Sequence, residues 1–280
     1  MTTGYFTEDS ATQTVNDRMG PGTDPRLREI MAALVRHLHG FAREVQLRPE
    51  EWEQAIAFLT RTGQMCSAER QEFILLSDVL GLSMLVDAIN NRRPEGATEN
   101  TVQGPFHVPG APQRAMGDTI TLDGKGESCR FEGRVLDLEG QPVEGARIEV
   151  WADNADGFYD VQQPGIQPRW NNRGVFVTGG DGRYGFVGIK PVSYPIPDDG
   201  PVGGLLAALG RSAMRPAHTH FMIRAEGFQP LVTHTFAGDD PGLASDAVFG
   251  VKASLVAPFV PDPEGQARWL SRFDFVLAPL

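Results

Sequence analysis

The sequence predicts an α+β fold, with an N-terminal helical segment over residues 1–95 and a C-terminal β-sandwich over residues 96–280. Two observations predict it. In the first segment, apolar residues recur at intervals of three and four, as on one face of a helix, and Gly and Pro are sparse. From about residue 94, Gly and Pro become frequent and short apolar alternations are separated by turn residues, which is typical of a β-sandwich.

The helical segment contains three patterns. The first has an apolar face made of Leu27, Ile30, Met31, Leu34, Val35 and Leu38. The second begins at Pro49, where proline and two acids stand in the first turn. The third extends over 67–91 as one long helix that ends before Pro94. These helices carry more apolar surface than one edge of a sandwich covers, so we expect a homodimer that forms through them.

The strands of the second segment are predicted from short apolar alternations that flank turn signals such as 139–142 and 179–182. The predicted strands cover 131–136, 146–151, 175–178, 183–187, 221–224 and 231–236. The proline-rich stretch 191–203 is predicted to be a stiff extended loop, because proline fixes its own backbone and restricts the residue before it.

Charge and cysteine content limit the functional classes. The chain has 25 basic and 36 acidic residues and a formal charge of −11, which disfavours nucleic acid and anionic membranes as partners. Its two cysteines are Cys66, in a helical pattern, and Cys129, expected in a loop before a strand. Two cysteines do not make a disulfide framework, and the N-terminus has no signal-peptide pattern, so we expect a reduced, cytoplasmic location. No apolar run approaches the roughly 20 residues of a membrane span.

The strongest chemical signal is the pair His218 and His220. On a strand, side chains alternate between faces, so both imidazoles point to one side and can share a metal ion. The alternative is a structural pair whose nitrogens are satisfied by backbone or carboxylate groups.

Two tyrosines favour a metal site over a structural role for this histidine pair. Tyr194 lies among the prolines of the stiff loop, and Tyr159 lies in a turn just after a predicted strand. Each alone could be a half-buried core residue with a bonded hydroxyl. Together with the histidines they suggest a site with two nitrogen and two oxygen ligands, in which anionic phenolates favour Fe(III). Asp160 and Asp198 leave open a two-histidine, one-carboxylate site for Fe(II).

These motifs, with Arg215-Pro216-Ala217-His218-Thr219-His220, resemble those of the intradiol ring-cleavage dioxygenases over nearly the whole chain. The resemblance implies a non-haem Fe(III) held by Tyr159, Tyr194, His218 and His220. It implies that Tyr194 leaves the iron when substrate binds. It also implies that the helical segment forms a homodimer, with a phospholipid possible at its interface. The implied reaction inserts both atoms of O2 into a small aromatic diol or triol and opens the ring between its two hydroxyl-bearing carbons.

Within this family the chain is most similar to the hydroxyquinol (benzene-1,2,4-triol) 1,2-dioxygenases, through residues 75–78, 104–112, 159–162 and 245–252. The implied product is 3-hydroxy-cis,cis-muconate, or its tautomer maleylacetate. The implied substrate pocket contains Leu75, Asp78, Val102, Gly104, Pro105 and Phe106. Enzymes that cleave catechol or chlorocatechol to cis,cis-muconates are the alternative. Catechol-cleaving relatives commonly have glutamine where this chain has His234, so the role of that residue is open.

Arg215 stands three residues before His218 and can reach the same face of the strand. A fixed cation there could stabilise negative charge on the ring or on reduced oxygen, and a structural ion pair is its alternative. Two other functional classes also stay open at this point. One is a β-sandwich that only binds a ligand, and the other is a zinc hydrolase that uses His218, His220 and a carboxylate.

Overall fold

The computed structural model describes residues 5–67 and 70–280. It divides the chain into two compact units, Met1–Gln64 and Met65–Leu280. The first unit is helical, and the second contains further helices and all the strands of the described chain. The predicted α+β class is therefore confirmed, while a domain boundary after residue 95 stays a prediction.

The first unit consists of α1 (Ala11–Asp17), α2 (Pro25–Glu44) and α3 (Pro49–Gln64). The side chain of Asp24 accepts a hydrogen bond from the backbone N–H of Leu27 at 2.9 Å, and Pro25 occupies the first turn, so α2 begins where its cap and proline stand together. Five residues of the predicted apolar face of α2 are exposed within the single chain, Leu27, Ile30, Met31, Leu34 and Leu38, and so is Phe41 of the same helix.

The second unit begins with α4 (Glu72–Val79) and α5 (Leu82–Asn90). The prediction of one long helix here was wrong, because Gly81 has φ +74°, a left-handed conformation that ends α4 and starts α5. Ala68 and Glu69, which the predicted helix included, lie outside the described residues. The prediction of an extended loop over 191–203 was wrong at its C-terminal end. There α6 (Pro201–Ala208) begins, with proline in its first turn.

Two five-stranded sheets form the sandwich. One contains β10, β11, β1 and β12 in that order, with β4 paired to β1, and the other has the order β3, β2, β7, β8, β9. A two-stranded ribbon pairs β5 with β6. The strands are β1 (Ser128–Leu136), β2 (Arg147–Trp151), β3 (Arg173–Val177), β4 (Arg183–Ile189), β5 (Tyr194–Pro195), β6 (Met214–Arg215), β7 (His218–Arg224), β8 (Leu231–Ala237), β9 (Val256–Ala257), β10 (Val260–Pro261), β11 (Trp269–Arg272) and β12 (Phe275–Val276).

The core of the second unit fills the space between the two sheets. Residues that alternate along β1, β2, β4 and β7 supply it, including Phe131, Val150, Phe186, Phe221 and Ile223. The opposite face of β7 carries its histidines, so the period of two divides this strand into a core face and a functional face.

Both cysteines lie elsewhere than the sequence predicted. Cys129 is fully buried inside β1, and Cys66 follows the end of α3. Cys129 is a free thiol. Within the described ranges, no helix combines the length and the apolar character that crossing a bilayer requires.

Candidate metal centre

Four side chains that the sequence singled out converge on one point of the second unit. The hydroxyl oxygen of Tyr159 lies 3.3 Å from that of Tyr194 and 3.0 Å from His220 Nε2. His218 Nε2 lies 3.4 Å from the Tyr194 hydroxyl and 3.2 Å from His220 Nε2. All four side chains are buried. Two phenol oxygens and two imidazole nitrogens therefore form a closed ring of metal-ligating atoms.

The spacing of this ring fits a shared cation. Ligand atoms about 2.0–2.1 Å from a metal lie roughly 2.9–3.4 Å apart when they subtend angles between 90° and the tetrahedral value. The four observed edges fall in that range, from 3.0 to 3.4 Å. Burial lowers the pKa of His218 and of His220, so both imidazoles are neutral and can offer a lone pair. Burial raises the pKa of both tyrosines, and the nearby Asp153 raises it further, whereas a bound cation would reverse that tendency.

Strand β7 orients the two imidazoles. Its alternation puts Thr219 towards the core and both histidines on the other face. His218 Nδ1 donates to the carbonyl oxygen of Pro216 at 2.7 Å, which fixes the tautomer that leaves Nε2 free to bind a metal. The ring of His220 stacks on Trp151 of the neighbouring strand β2, with centroids 4.7 Å apart.

Two separate loops position the tyrosines. Tyr159 precedes a 3-10 turn, and its backbone N–H donates to the side chain of Gln162 at 2.9 Å. Tyr194 stands on β5 and pairs with Arg215 of β6. Gly157 has φ +81°, and a Cβ there would lie 3.1 Å from the Cβ of Tyr194, so glycine allows the two loops to approach.

Arg215 lies beside the four candidate ligand atoms. Its Nη1 is 3.1 Å from His218 Nε2, and its Nε donates to Asp246 at 3.2 Å. Asp246 also accepts from the backbone N–H groups of Val248 and Gly250. Burial disfavours the charged form of the guanidinium. Tyr194 and the carboxylate of Asp246 act in the opposite direction and together hold the pKa of Arg215 above its usual value. Arg215 is therefore a fixed cation at this site, and it is also half of a buried ion pair.

The predicted pocket residues occupy two elements. Gly104, with φ +72°, lies against His220, since a Cβ there would be 3.2 Å from the ring. Phe106 stacks on Tyr159 with centroids 4.5 Å apart. Val102 and Pro105 belong to the same loop.

The other pocket residues lie on α4. Leu75 packs against a buried apolar cluster that includes Val79, Ile196 and Val248. Burial raises the pKa of the Asp78 carboxyl, while its hydrogen bond to Ser83 and the charge of Arg215 act in the opposite direction. Asp78 is therefore partly dehydrated and lies within electrostatic range of Arg215.

The carboxylates considered for an Fe(II) or zinc site lie elsewhere. Asp160 pairs with Arg173 at 2.7 Å and accepts the backbone N–H of Trp170. Asp198 is exposed. Among the described residues, the histidine, cysteine and carboxylate side chains that lie close enough together to share a cation are three histidines, His218, His220 and His234.

Sequence reasoning left the role of His234 open and did not single out two further residues around the centre, Thr101 and Asp246. His234 lies beside His218 and His220, and Thr101 hydrogen-bonds to its ring at 3.0 Å. Asp246 anchors Arg215. A histidine near a His-x-His pair was a visible signal, but the contacts of Thr101 and Asp246 depend on long-range packing.

Comparison with known proteins gives a consistent result. The family model described as "Dioxygenase" matches residues 102–279, and the one described as "Catechol dioxygenase N terminus" matches residues 24–98. The hydroxyquinol 1,2-dioxygenase of Rhizobium sp. (strain MTP-10005) is 57% identical, over 98% of this chain and 97% of that protein. The 6-chlorohydroxyquinol 1,2-dioxygenase of Cupriavidus pinatubonensis is 53% identical, over 98% of each. The crystal structure of hydroxyquinol 1,2-dioxygenase from Pseudomonas putida DLL-E4 superimposes with a TM-score of 0.93 at 46% identity, over 98% of this chain and 99% of that one.

Proposed function

The chain belongs to the intradiol ring-cleavage dioxygenase family, and we propose that its substrate is hydroxyquinol, which it opens between the two adjacent hydroxyl-bearing carbons. Both atoms of O2 enter the product, 3-hydroxy-cis,cis-muconate, which tautomerises to maleylacetate. The observation that carries the proposal is the buried ring of two phenol oxygens and two imidazole nitrogens, with edges of 3.0–3.4 Å. The relatives named hydroxyquinol 1,2-dioxygenase, at 57% and 46% identity, support the choice of substrate.

We propose that Tyr159, Tyr194, His218 and His220 hold the non-haem iron, and that it is ferric. Two phenolates supply hard anionic ligands, which suit Fe(III) better than Fe(II). When bound, the ferric ion supplies a template and a Lewis acid for the deprotonated diol. The neutral state of both imidazoles supports this assignment, since a protonated histidine could not bind a cation.

The side chains around the cluster have separate roles in this proposal. Tyr194 would hold the metal through its phenol oxygen, and that oxygen would accept one of the diol's two protons. Arg215 keeps a positive charge beside His218 and stabilises the negative charge that develops on the ring and on oxygen. Phe106, stacked on Tyr159, and Leu75 exclude water and align the ring.

Asp78 selects the substrate in this proposal. Its carboxylate is partly dehydrated, so an unpaired state is unfavourable. Hydroxyquinol has a third hydroxyl group that can donate a hydrogen bond to it, and catechol has none. The pocket is completed by Val102, Gly104 and Pro105.

The assembly is also a proposal. The exposed apolar face of α2 in the first unit supports a homodimer that buries this face between two copies. A phospholipid at that interface and a cytoplasmic location stay predictions.

Metal analysis and oxygen uptake test the proposal together. Purified protein should contain about one iron per chain and be red-brown from tyrosinate-to-iron charge transfer. Its absorption should shift when a catechol is added without oxygen. In a panel of hydroxyquinol, catechol and chlorocatechol, hydroxyquinol should consume O2 with the highest kcat/KM and yield maleylacetate. A colourless protein that is active with zinc alone would refute the iron site, and a preference for catechol would refute the substrate.

A further inference from the structure

A third histidine lies on the same face as the two predicted ligand histidines. His234 of β8 is paired in register with His220 of β7, and both rings are fully or almost fully buried. Their centroids are 4.1 Å apart, and the ring of His218 is 4.9 Å from that of His234. One nitrogen from each of the three rings lies within 4.8 Å of the others. The iron ligand set proposed above does not use this imidazole.

The hydrogen bonds of His234 indicate which nitrogen carries its proton. Its Nδ1 lies 3.0 Å from the hydroxyl oxygen of Thr101, and its Nε2 is buried without a partner in the described part of the chain. If Thr101 donates to Nδ1, both of those groups are satisfied and only an Nε2–H lacks an acceptor. If Nδ1 instead donates to Thr101, the hydroxyl proton and the Nε2 lone pair both lack partners. The first arrangement costs less, since each buried unsatisfied group is destabilising.

The hydrogen bond with Thr101 decides which group His234 presents to its neighbours. A neutral ring with Nδ1 accepting from Thr101 presents one N–H donor beside the ligand cluster.

We propose that His234 donates a hydrogen bond from Nε2–H to an anionic oxygen of a reactant, and that Thr101 is the positioning residue that fixes this tautomer. Two reactants offer such an oxygen, a deprotonated hydroxyl of the diol and dioxygen as it becomes reduced. The inference rests on the proposed iron-dependent ring cleavage. It adds a donor to that site, in addition to Arg215, and does not make His234 an iron ligand.

Four variants separate this role from a structural one. His234→Leu removes the donor, and His234→Gln keeps an N–H donor on a more flexible, non-aromatic side chain. Thr101→Val removes the hydrogen bond that fixes the tautomer and leaves the imidazole of His234 in place. Thr233→Val is the matched control, because the Thr233 hydroxyl donates to the carbonyl oxygen of Glu99 at 2.8 Å from the same strand to the same loop. Thr233 lies on the other face of β8.

Three measurements are made on each iron-loaded variant: iron content with the tyrosinate band, the anaerobic Kd for hydroxyquinol, and kcat/KM for O2 at saturating hydroxyquinol. We expect iron and the band to stay near wild type in all four. If the acceptor is a diol oxygen, His234→Leu raises the Kd by roughly 10- to 100-fold, as for a lost hydrogen bond to a charged group. If the acceptor is dioxygen, the Kd is unchanged and kcat/KM for O2 falls by a similar factor. Thr101→Val should produce a smaller change of the same kind, and His234→Gln should recover part of the loss.

Three results would overturn the inference. His234→Leu could leave both the Kd and kcat/KM for O2 within twofold of wild type. Thr233→Val could reproduce the effect of Thr101→Val, which would make the loop contact merely structural. His234→Gln and His234→Leu could both lose iron, which would make His234 a ligand. A wild-type protein without iron or a tyrosinate band would instead refute the proposed iron site, so the two failures are distinguishable.

Discussion

Replacement of Arg215 by methionine separates its electrostatic role from its structural one. Methionine keeps an apolar side chain of comparable length and removes the guanidinium. That change eliminates the charge whose Nη1 lies 3.1 Å from His218 Nε2, and it breaks the buried ion pair with Asp246. We expect kcat to fall roughly 100-fold, as for the removal of one preorganised electrostatic donor. Iron content should stay near wild type, because Arg215 is outside the proposed ligand set.

The same substitution should destabilise the fold by a predictable amount. Removing one partner of a buried ion pair costs about 3–5 kcal/mol. Asp246 keeps two backbone donors, at 3.3 Å from Val248 and 2.8 Å from Gly250, so we expect the lower end, about 3 kcal/mol. For a unit of this size, that corresponds to a fall in Tm of roughly 6–12 °C.

The double variant Arg215→Met/Asp246→Asn provides the decisive assay. It removes both charges, so most of the lost stability should return in thermal unfolding followed by circular dichroism. Oxygen uptake should remain as low as in the single variant, because the cation is still absent. Recovery of kcat together with Tm would show that Arg215 acts only through the ion pair, and would refute its direct electrostatic role.

The remaining predictions concern the substrate, the assembly and acid stability. Wild-type kcat/KM for hydroxyquinol should exceed that for catechol at least about tenfold, and Asp78→Ala should lower the hydroxyquinol value more than the catechol value. Equal losses of kcat/KM for the two substrates would show that Asp78 has only a structural role. Light scattering at micromolar concentration should report a homodimer, whereas a monomer would contradict the apolar interface proposed for α2. A hydrogen bond from Arg130 lowers the pKa of Asp262 to about 2, below the unfolded value of about 3.9. Its stabilisation is therefore present above about pH 4 and is lost as the pH falls towards about 2. Asp262→Asn should flatten this part of a pH titration of unfolding, and an unchanged profile would contradict the assignment.

Local sequence patterns were sufficient to predict those helices and strands whose structure depends on residues close together in the chain. The helical spacing at 27–38 corresponds to α2, and the apolar alternations correspond to β1, β2, β4 and β8 within a few residues. The period of two correctly predicted that His218 and His220 share one face of β7. The break between α4 and α5 was missed because Gly81 adopts φ +74°, and a helical pattern tolerates an isolated glycine without revealing its conformation.

The sequence by itself determined the fold class and the types of residue that a ferric site would need, since periodicity and motif composition are written along the chain. Only the tertiary structure decided which distant residues meet. Tyr159 reaches a histidine 61 positions away, and Thr101 meets His234 across 133 positions. Asp246 likewise forms an ion pair with Arg215, which lies 31 positions away. These contacts depend on strand register and on the paths of loops between sheets, and no local pattern encodes them, because each is stabilised by packing that forms only when the whole unit folds.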